Sequence, residues 1–281
     1  MQSYVDFISR KDRSCAIVAH RGIWRHAPEN SLAAIEAAIV AGCDVVEIDV
    51  RRSADGEFVL LHDGTLERMT GLDREPESLS AEQLRGLALR DRDGGDQNCE
   101  TGEKLPSLEQ VFDLIRNRIY VHLDIKQREL IPDVLTLARS MHVEHQVDVW
   151  RSLKTATDLS WIRQAVMPHQ VAFIAKTHLN APDAATQLDL LFELSPPVCE
   201  IYFDRLDQLL ERKVLFEKAG IALWVNTLDD VSNPDFTDTA ALIDPEAVWG
   251  RLVAAGISLI QTDEPEALRS YLARNGENAA G

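Results

Sequence analysis

Short apolar or alternating segments recur along the chain, and most of them precede a segment with helical spacing. AIVA (16–19) precedes SLAAIEAAIVAG, and IYVHLDI (119–125) precedes ELIPDVLTLARSM. Period-two alternation indicates a strand, whereas apolar residues three and four apart indicate a helix. The other predicted strands are DVVEIDV (44–50), FVLLH (58–62), QVDVW (146–150), QVAFIA (170–175), VCEIYF (198–203), IALWVN (221–226) and SLIQT (258–262).

This alternation of strands and helices predicts the fold class. If FVLLH is the second arm of a hairpin or an extension after the second strand, the chain contains eight βα units. Eight units favour an α/β protein with a TIM (β/α)8 barrel over an open doubly wound sheet. We expect one domain over residues 1–274, with a short insertion after the second βα unit at 64–106 and a flexible tail at 275–281.

Two long connections interrupt the repeat. Residues 64–106 contain a weak helical pattern, LSAEQLRGLAL, and then the polar stretch RDRDGGDQNCETGEK. Because this stretch is rich in Gly and Asp, we expect it not to pack, and a lid is one role for the whole insertion. The second connection is TLDDVSNPDFTDTAALIDPEAVW, between the seventh strand and its helix.

Composition narrows the classes of partner. With 281 residues, 45% of them hydrophobic, the chain can bury a substantial core. A net charge of -17 argues against a general nucleic-acid binder or a protein held by an anionic membrane surface. The N-terminal stretch lacks the apolar region of a signal peptide, and no segment approaches the ~18 apolar residues of a membrane span. We therefore expect a cytoplasmic protein with a small-molecule partner.

Cysteine usage agrees with that expectation. Cys15, Cys43, Cys99 and Cys199 are far apart and form no CxxC pair. This spacing is more typical of a reducing compartment than of a disulfide scaffold or a zinc site.

Polar residues concentrate at the C-terminal ends of the predicted strands, where barrel enzymes place their chemistry. In DVVEIDV, alternation directs Glu47 and Asp49 to one face of the strand. In IYVHLDIK, it directs His122, Asp124 and Lys126 to one face. The further strand-end residues are His20, His62, Asp148, Trp150, Lys176, Tyr202, Asp204, Trp224, Asn226, Thr262 and Asp263.

The acidic residues of this set predict a metal site. Glu47, Asp49 and Asp124 supply the oxygen ligands that a hard divalent cation prefers, and Mg²⁺ or Ca²⁺ is the natural candidate. The alternative is that these carboxylates are solvated separately, or form ion pairs with Arg51, Arg52 or Lys126.

The histidines predict acid–base chemistry. His20 is followed by Arg21, a residue suited to phosphate, and by Gly22, which permits a tight turn and close approach of a ligand. Histidine has an unperturbed pKa of about 6.5, so His20 and His62 can exchange protons near neutral pH. A lone histidine is more often structural, but two beside an acidic cluster favour catalysis.

The segment AHRGIWRHAPENSLAAIEAAIVAGCDVVEIDVRRSADGEFVLLHDGTLERMTG (19–71) resembles the signature of glycerophosphodiester phosphodiesterases. Its elements are HRG, PEN followed by Ser, ExD, DG, HD and RxTG, with weaker similarity in LSAEQLRGL, EKLPSLEQVF, LDIK, WVN and GISLIQTDEP. The resemblance implies a TIM-barrel phosphodiesterase related to phosphatidylinositol phospholipase C. It also implies a divalent metal and cleavage of a phosphodiester to an alcohol and a phosphomonoester.

Position by position, the resemblance implies two catalytic histidines, three metal ligands and two phosphate-binding cations. In that order they are His20 and His62; Glu47, Asp49 and Asp124; and Arg21 and Lys126. One histidine takes a proton from the attacking hydroxyl, either of water or of the substrate, and the other protonates the leaving oxygen. The assignment of acid and base stays open.

Two positions depart from the family pattern. Asp124 stands where the family usually has glutamate, so the ion is expected to shift, to be reached through water or to recruit His122. LWVN replaces the usual WTVN, so Trp224 is expected to project to the other side of its strand from the family tryptophan. Trp150, Lys176, Tyr202 and Trp224 are candidate substrate-binding residues for the alcohol, although aromatic strand-end residues also serve as rim packing.

The leading functional hypothesis is hydrolysis of glycerophosphodiesters such as deacylated phospholipids. The alternatives are a sugar or opine-type (agrocinopine-like) phosphodiester, a sphingomyelinase D-like activity, and a non-catalytic phosphate-ester binder. The absence of a secretion signal and of paired cysteines argues against the sphingomyelinase, and His20 and His62 argue against a binder.

Overall fold

A computed structural model describes the protein over residues 1–10 and 15–279, without the side chains of 276–279. Within these residues the strands are β1 (Ala16–Ala19), β2 (Val45–Arg52), β3 (Phe58–Leu60), β4 (Ala88–Arg90), β5 (Glu100–Lys104), β6 (Tyr120–Ile125), β7 (Val147–Ser152), β8 (Ala172–His178), β9 (Val198–Tyr202), β10 (Ala222–Asn226) and β11 (Leu259–Thr262).

The α-helices within the same residues are α1 (Tyr4–Ser9), α2 (Leu32–Val40), α3 (Glu67–Thr70), α4 (Ala81–Gly86), α5 (Leu108–Ile115), α6 (Ile131–Ser140), α7 (Ala156–Ala165), α8 (Ala184–Leu194), α9 (Leu206–Leu210), α10 (Lys213–Ala219), α11 (Asp238–Ile243), α12 (Arg251–Ala255) and α13 (Pro265–Ala279). Short 3-10 turns lie at Pro76–Ser78, Arg128–Leu130, Glu144–Gln146 and Met167–His169, and a π-helical turn at Glu246–Gly250.

The fold is a TIM (β/α)8 barrel, as predicted. Every strand predicted from the sequence pattern is present, with its ends displaced by three residues or fewer. The chain divides into two compact units, which are described separately below. Among the described residues, the first unit consists of residue 1 and residues 19–147, and the second of residues 2–10, 15–18 and 148–279.

In the first unit, β2 pairs in parallel with β6 and antiparallel with β3. The first six residues of β2 are buried, which places its carboxylates inside the fold. The helix α5 shows how the sequence directs packing. Ser107 caps its N-terminus, and the residues buried along one face, Leu108, Val111, Phe112 and Ile115, have helical spacing.

The insertion at 64–106, between β3 and α5, is more ordered than its composition predicted. It contains α3, α4 and an antiparallel hairpin of β4 and β5, and the hairpin includes part of the polar stretch. Its apolar residues pack with β3 in one buried cluster: Val59, Leu61, Leu66, Met69, Leu79, Leu84, Leu89 and Leu105. The buried residues of this cluster all lie outside the polar stretch, so the expectation that the stretch itself does not pack stays a prediction, as does the role of the insertion as a lid.

In the second unit, β7 to β11 follow one another as parallel neighbours, with registers such as Trp224 opposite Glu200. The long connection after β10 contains α11 and the π-helical turn that leads into α12. The predicted tail at 275–281 includes the last turns of α13, and residues 280 and 281 lie outside the described residues. Across the described residues, no helix combines the length and apolar character needed to cross a bilayer.

Candidate active site

Three carboxylates come together where β2 and β6 run side by side. The parallel register sets Glu47 opposite His122 and Asp49 opposite Asp124. One carboxylate oxygen each of Glu47, Asp49 and Asp124 lies within 4.8 Å of the other two, and these residues are named the carboxylate cluster here. Glu47 and Asp49 are only 3% and 1% exposed. Among the described residues, His122 does not join this group of possible metal ligands.

Basic and amide groups surround Asp49 on both of its oxygens. Lys126 Nζ lies 2.6 Å from Asp49 Oδ1 and 2.8 Å from Asp124 Oδ2. Arg21 Nε lies 3.2 Å from Asp49 Oδ2, and Asn30 Nδ2 donates to the same oxygen at 2.8 Å. Burial alone would raise the pKa of Asp49, but Lys126 and Arg21 hold it well below its ordinary value. The ion pair with Lys126 that the sequence left as an alternative therefore lies inside the cluster itself.

Glu47 has the opposite electrostatic balance. Its Oε2 accepts a hydrogen bond from the backbone N–H of Arg21 at 3.1 Å, and His20 Nε2 lies 4.0 Å from the same oxygen. Burial, and after it the nearby charge of Asp49, raise the pKa of Glu47 to about 7. The pKa values of two neighbouring carboxylates on one strand are thus shifted in opposite directions, which is the pattern expected where negative charge is concentrated.

A tight turn after β1 brings His20 and Arg21 to this cluster. Arg21 and Gly22 both have positive φ, at 55° and 85°. A Cβ on Gly22 would lie 2.6 Å from the backbone carbon of Ala34, so only glycine fits there. Asn30, with φ of 56°, donates its backbone N–H to the Arg21 carbonyl at 3.0 Å and closes the loop. The tight turn predicted at Gly22 is therefore confirmed, whereas the close approach of a ligand stays a prediction.

His62 follows β3 and is oriented by its neighbour in the chain. Its Nδ1 lies 2.8 Å from Asp63 Oδ1, so the carboxylate accepts the Nδ1 proton. Arg68 binds both oxygens of Asp63, with Nε to Oδ2 at 2.7 Å and Nη2 to Oδ1 at 3.0 Å. Burial alone would raise the pKa of Asp63, but hydrogen bonds from Arg68 and His62 lower it to about 2. Arg51 pairs with Glu77 at 3.2 Å rather than with the carboxylate cluster.

The second unit holds a different polar group on β8, β9 and β10. Glu200 is 5% exposed, and its Oε1 accepts from Tyr202 Oη at 2.7 Å and from Asn226 Nδ2 at 3.0 Å. Lys176 Nζ lies 3.2 Å from the same oxygen and donates to Tyr202 Oη at 3.1 Å. These residues, Lys176, Glu200, Tyr202 and Asn226, are named the Glu200 cluster.

Aromatic rings enclose the lysine of the Glu200 cluster. Lys176 Nζ lies 4.9 Å from the ring centroid of Trp150 and 4.5 Å from that of Tyr202. Trp224 Nε1 donates to Asn226 Oδ1 at 2.8 Å, so its side chain lies on the Asn226 side of β10. The four candidate alcohol-binding residues are thus grouped in the second unit.

Sequence reasoning missed several residues that support these groups. Glu29 and Asn30 lie in the PEN motif and Arg68 in RxTG, but no role was predicted for them. Asp63 directly follows His62 in the HD motif. Glu200 could have been found by parity, because it precedes Tyr202 by two positions and therefore shares its face of the strand.

Comparison with known proteins identifies relatives along nearly the whole chain. A glycerophosphodiester phosphodiesterase of Caldanaerobacter subterraneus subsp. tengcongensis is 25% identical over 272 residues, which cover 92% of this chain and 98% of the relative. Mouse glycerophosphodiester phosphodiesterase 1 is 39% identical over 119 residues, covering 41% of this chain and 35% of that protein. A family model described as a domain of unknown function matches residues 173–272.

Solved structures share the fold. A glycerophosphoryl diester phosphodiesterase from Parabacteroides distasonis superposes with a TM-score of 0.75 at 21% identity, covering 98% of this chain and 93% of the other. A phosphodiesterase from Oleispira antarctica, solved in complex with the product sn-glycerol-3-phosphate, gives a TM-score of 0.66 at 21% identity, with coverages of 92% and 96%. At these identities the similarity establishes the barrel.

Proposed function

Because the chain belongs to the glycerophosphodiester phosphodiesterase family, we propose that it is a phosphoric diester hydrolase that cleaves a glycerophosphodiester to an alcohol and a phosphomonoester. The observation that carries the proposal is the grouping of three carboxylates with His20 in the first unit, which also holds His62 beside Asp63. Buried ionisable groups gathered in one place are more typical of a catalytic site than of a site that only stabilises the fold.

The carboxylate cluster suits a divalent cation. Three carboxylate oxygens within 4.8 Å form the hard donor set that Mg²⁺ and Ca²⁺ prefer. The raised pKa of Glu47 reflects burial and like charge, both of which a cation at Glu47, Asp49 and Asp124 would offset. A divalent cation there would polarise the phosphate oxygens and neutralise charge that develops on them.

Proton transfer is assigned to His20 and His62. The carboxylate of Asp63 holds the Nδ1 proton of His62, so Nε2 is the nitrogen that faces reaction. His20 Nε2 lies 4.0 Å from Glu47 Oε2, beside the carboxylate cluster. One histidine takes the proton of the attacking hydroxyl and the other donates a proton to the leaving oxygen. The two histidines together therefore carry the same number of protons after this step as before it.

The phosphate and the alcohol are assigned to different side chains. Arg21 and Lys126 carry positive charge beside the carboxylate cluster and are proposed to bind the phosphate oxygens. Trp150, Lys176 and Tyr202 are proposed to bind the alcohol, because they combine ring faces with a partly exposed ammonium group. Trp224 is included through its hydrogen bond to the Glu200 cluster.

A substrate panel tests this assignment. The purified chain is assayed with glycerophosphodiesters of choline, ethanolamine, glycerol and inositol, a sugar phosphodiester, sphingomyelin, and bis(4-nitrophenyl) phosphate, each with Mg²⁺, Ca²⁺ or EDTA. We expect turnover of at least one glycerophosphodiester, its loss in EDTA, and a fall of about 10²- to 10⁴-fold in His20→Ala and His62→Ala. His142→Asn, at an exposed position with positive φ, is the matched control.

The outcomes separate the competing functions. Preference for the sugar phosphodiester or for sphingomyelin would replace the glycerophosphodiester assignment. Full activity in EDTA would exclude a metal role, and full activity of both histidine variants would exclude their acid–base role. If no diester is turned over, the non-catalytic phosphate-ester binder is the hypothesis that remains.

A further inference from the structure

Arg68, in the short helix α3, lies at the centre of a charge network that the reaction scheme does not use. Its guanidinium group donates to both oxygens of Asp63 and, through Nη2, to Glu29 Oε1 at 2.6 Å. Nη1 donates to the Asp93 carbonyl. A planar guanidinium group presents five N–H donors in a fixed fork, whereas an ammonium group is a point charge on a flexible stem.

One branch of this network leads to His62. Asp63 accepts from Arg68 on both oxygens and from His62 Nδ1 on Oδ1. The branch fixes three things: the rotamer of Asp63, the orientation of the imidazole ring, and the tautomer that carries its proton on Nδ1. Orientation of a histidine by a carboxylate that is itself held in place is a common way of preparing it for proton transfer.

The other branch leads to Arg21. Glu29 is 3% exposed, and both its oxygens accept from Arg21 Nη1, at 3.1 and 3.0 Å. Arg21 in turn faces Asp49 through Nε at 3.2 Å. Because Glu29 is buried between two arginines, loss of either leaves its charge poorly compensated. Glu29 therefore connects Arg21 to Arg68.

The insertion holds Arg68 from its backbone side. Gly95 donates its N–H to the Arg68 carbonyl at 2.7 Å, and Glu29 donates its N–H to the Arg92 carbonyl at 2.8 Å. A Cβ on Gly94 would lie 2.5 Å from the Arg68 carbonyl oxygen and 2.7 Å from Met69 Sδ. The turn at 91–95 is thus packed directly against Arg68.

We propose that Arg68 is a positioning residue that fixes His62 through Asp63 and Arg21 through Glu29, and that the insertion turn at 91–95 holds it there. The catalytic meaning of this role rests on the proposed function, because His62 and Arg21 are the groups that would act on the phosphodiester. The structural part of the role does not depend on it.

The first test is ¹⁵N NMR of the imidazole nitrogens in the metal-free full chain, with His62→Gln to assign the His62 signals. In the wild type we expect neutral His62 to carry its proton on Nδ1. In Arg68→Met, Asp63 loses both hydrogen bonds from Arg68, so we expect a mixture of tautomers; Arg68→Lys should be intermediate. An unchanged tautomer in folded Arg68→Met overturns the proposal.

The second test separates the branches by kinetics on a glycerophosphodiester that the wild type hydrolyses. Asp63→Asn should lower kcat with little change in KM, whereas Glu29→Gln should mainly raise KM. Arg68→Met should do both, each by about 10- to 100-fold, the usual range for residues that orient acting groups. The double variant of Asp63 and Arg68 should have no lower kcat than Asp63→Asn alone. Independent, multiplying losses would contradict action through Asp63.

The third test uses a pair of glycine variants and leaves the charged residues unchanged. Gly94 and Gly95 both have positive φ, at 71° and 80°, but a Cβ on Gly95 meets no atom within 4 Å. Gly94→Ala should therefore shift the His62 signals and lower kcat, whereas Gly95→Ala should only reduce thermal stability. Equal effects of the two substitutions on the His62 signals would overturn the role of the turn.

These readouts keep the two proposals apart. If the wild type hydrolyses no phosphodiester but Arg68→Met changes the His62 tautomer, the proposed function fails and the positioning role stands. If the wild type is active and Arg68→Met changes neither tautomer nor kinetics, the proposed function stands and the positioning role fails.

Discussion

The carboxylate cluster and the Glu200 cluster are both buried polar groups on neighbouring strands, but they balance charge differently. In the first, the ammonium group of Lys126 contacts Asp49 and Asp124, and the pKa of the buried Glu47 is raised to about 7. In the second, the single carboxylate of Glu200 is matched by Lys176 and by hydrogen bonds from Tyr202 and Asn226. Burial of polar residues therefore does not by itself indicate a cation site; the convergence of three carboxylate oxygens within 4.8 Å is the better indicator.

The largest expected effect is on metal affinity. Glu47→Gln removes the charge of a proposed ligand with little change in side-chain volume. Loss of a residue that only supports a ligand lowers metal affinity by about 10- to 100-fold, so loss of a ligand charge should lower the affinity for Mg²⁺ or Ca²⁺ by more. Glu200→Gln is the matched control and should bind the metal as the wild type does. Isothermal titration of the metal-free chain measures both. Equal losses in the two variants would remove the distinction between the clusters.

The next effect is the pH dependence of stability without metal. The pKa of Glu47 rises from 4.5 to about 7 on folding, so its contribution to stability is fully present below pH 4.5 and is lost as the pH rises through 7. That loss is on the order of 3 kcal/mol for a shift of this size. Urea denaturation between pH 4.5 and 8 in EDTA should show it in the wild type.

Two changes of condition should abolish this slope. Glu47→Gln has no charge to titrate, and saturating Mg²⁺ should hold Glu47 ionised and offset its repulsion from Asp49. Glu200→Gln should keep the slope of the wild type. A slope that persists in Glu47→Gln would assign the pH dependence to another group.

A smaller effect separates the two lysines. Lys176→Met leaves Glu200 without its cation and should destabilise the chain by about 2 kcal/mol, the range for a hydrogen bond to a charged group. Lys126→Met removes the ammonium group that Asp49 and Asp124 share, so the two carboxylates repel each other, but a bound cation can replace the missing charge. Stabilisation by added Mg²⁺, measured by urea denaturation, should therefore be larger than in the wild type for Lys126→Met and unchanged for Lys176→Met. The reverse order would indicate that the Glu200 cluster is the cation site.

The sequence was informative wherever periodicity determines direction. Alternation in β2 placed Glu47 and Asp49 on one face, and the parallel register with β6 brings Asp124 beside Asp49. Strand-end position similarly selected Lys176 and Tyr202, which the structure brings together. In each case one local rule fixes the orientation of a side chain without knowledge of distant residues.

The sequence was uninformative where loops supply the partners. Glu29 and Arg68 are 39 positions apart and meet through turns whose geometry depends on backbone hydrogen bonds such as Gly95 to Arg68. No periodic pattern encodes such a contact. The β4–β5 hairpin was missed for a related reason, because its polar composition concealed a pairing that the leucines Leu89 and Leu105 stabilise from outside the polar run.

The smallest effect concerns a single hydroxyl group in the Glu200 cluster. Tyr202→Phe removes the donor to Glu200 but leaves that carboxylate its contacts with Lys176 and Asn226, so the loss should be about 1 kcal/mol by urea denaturation. The ring keeps its stacking with His178, whose centroid lies 4.6 Å away. Tyr271→Phe, which removes a hydroxyl that donates to Glu246, is the matched control. If Tyr202→Phe instead costs as much as Lys176→Met, Glu200 depends on every donor around it, and the contrast between a satisfied cluster and one with surplus charge no longer holds.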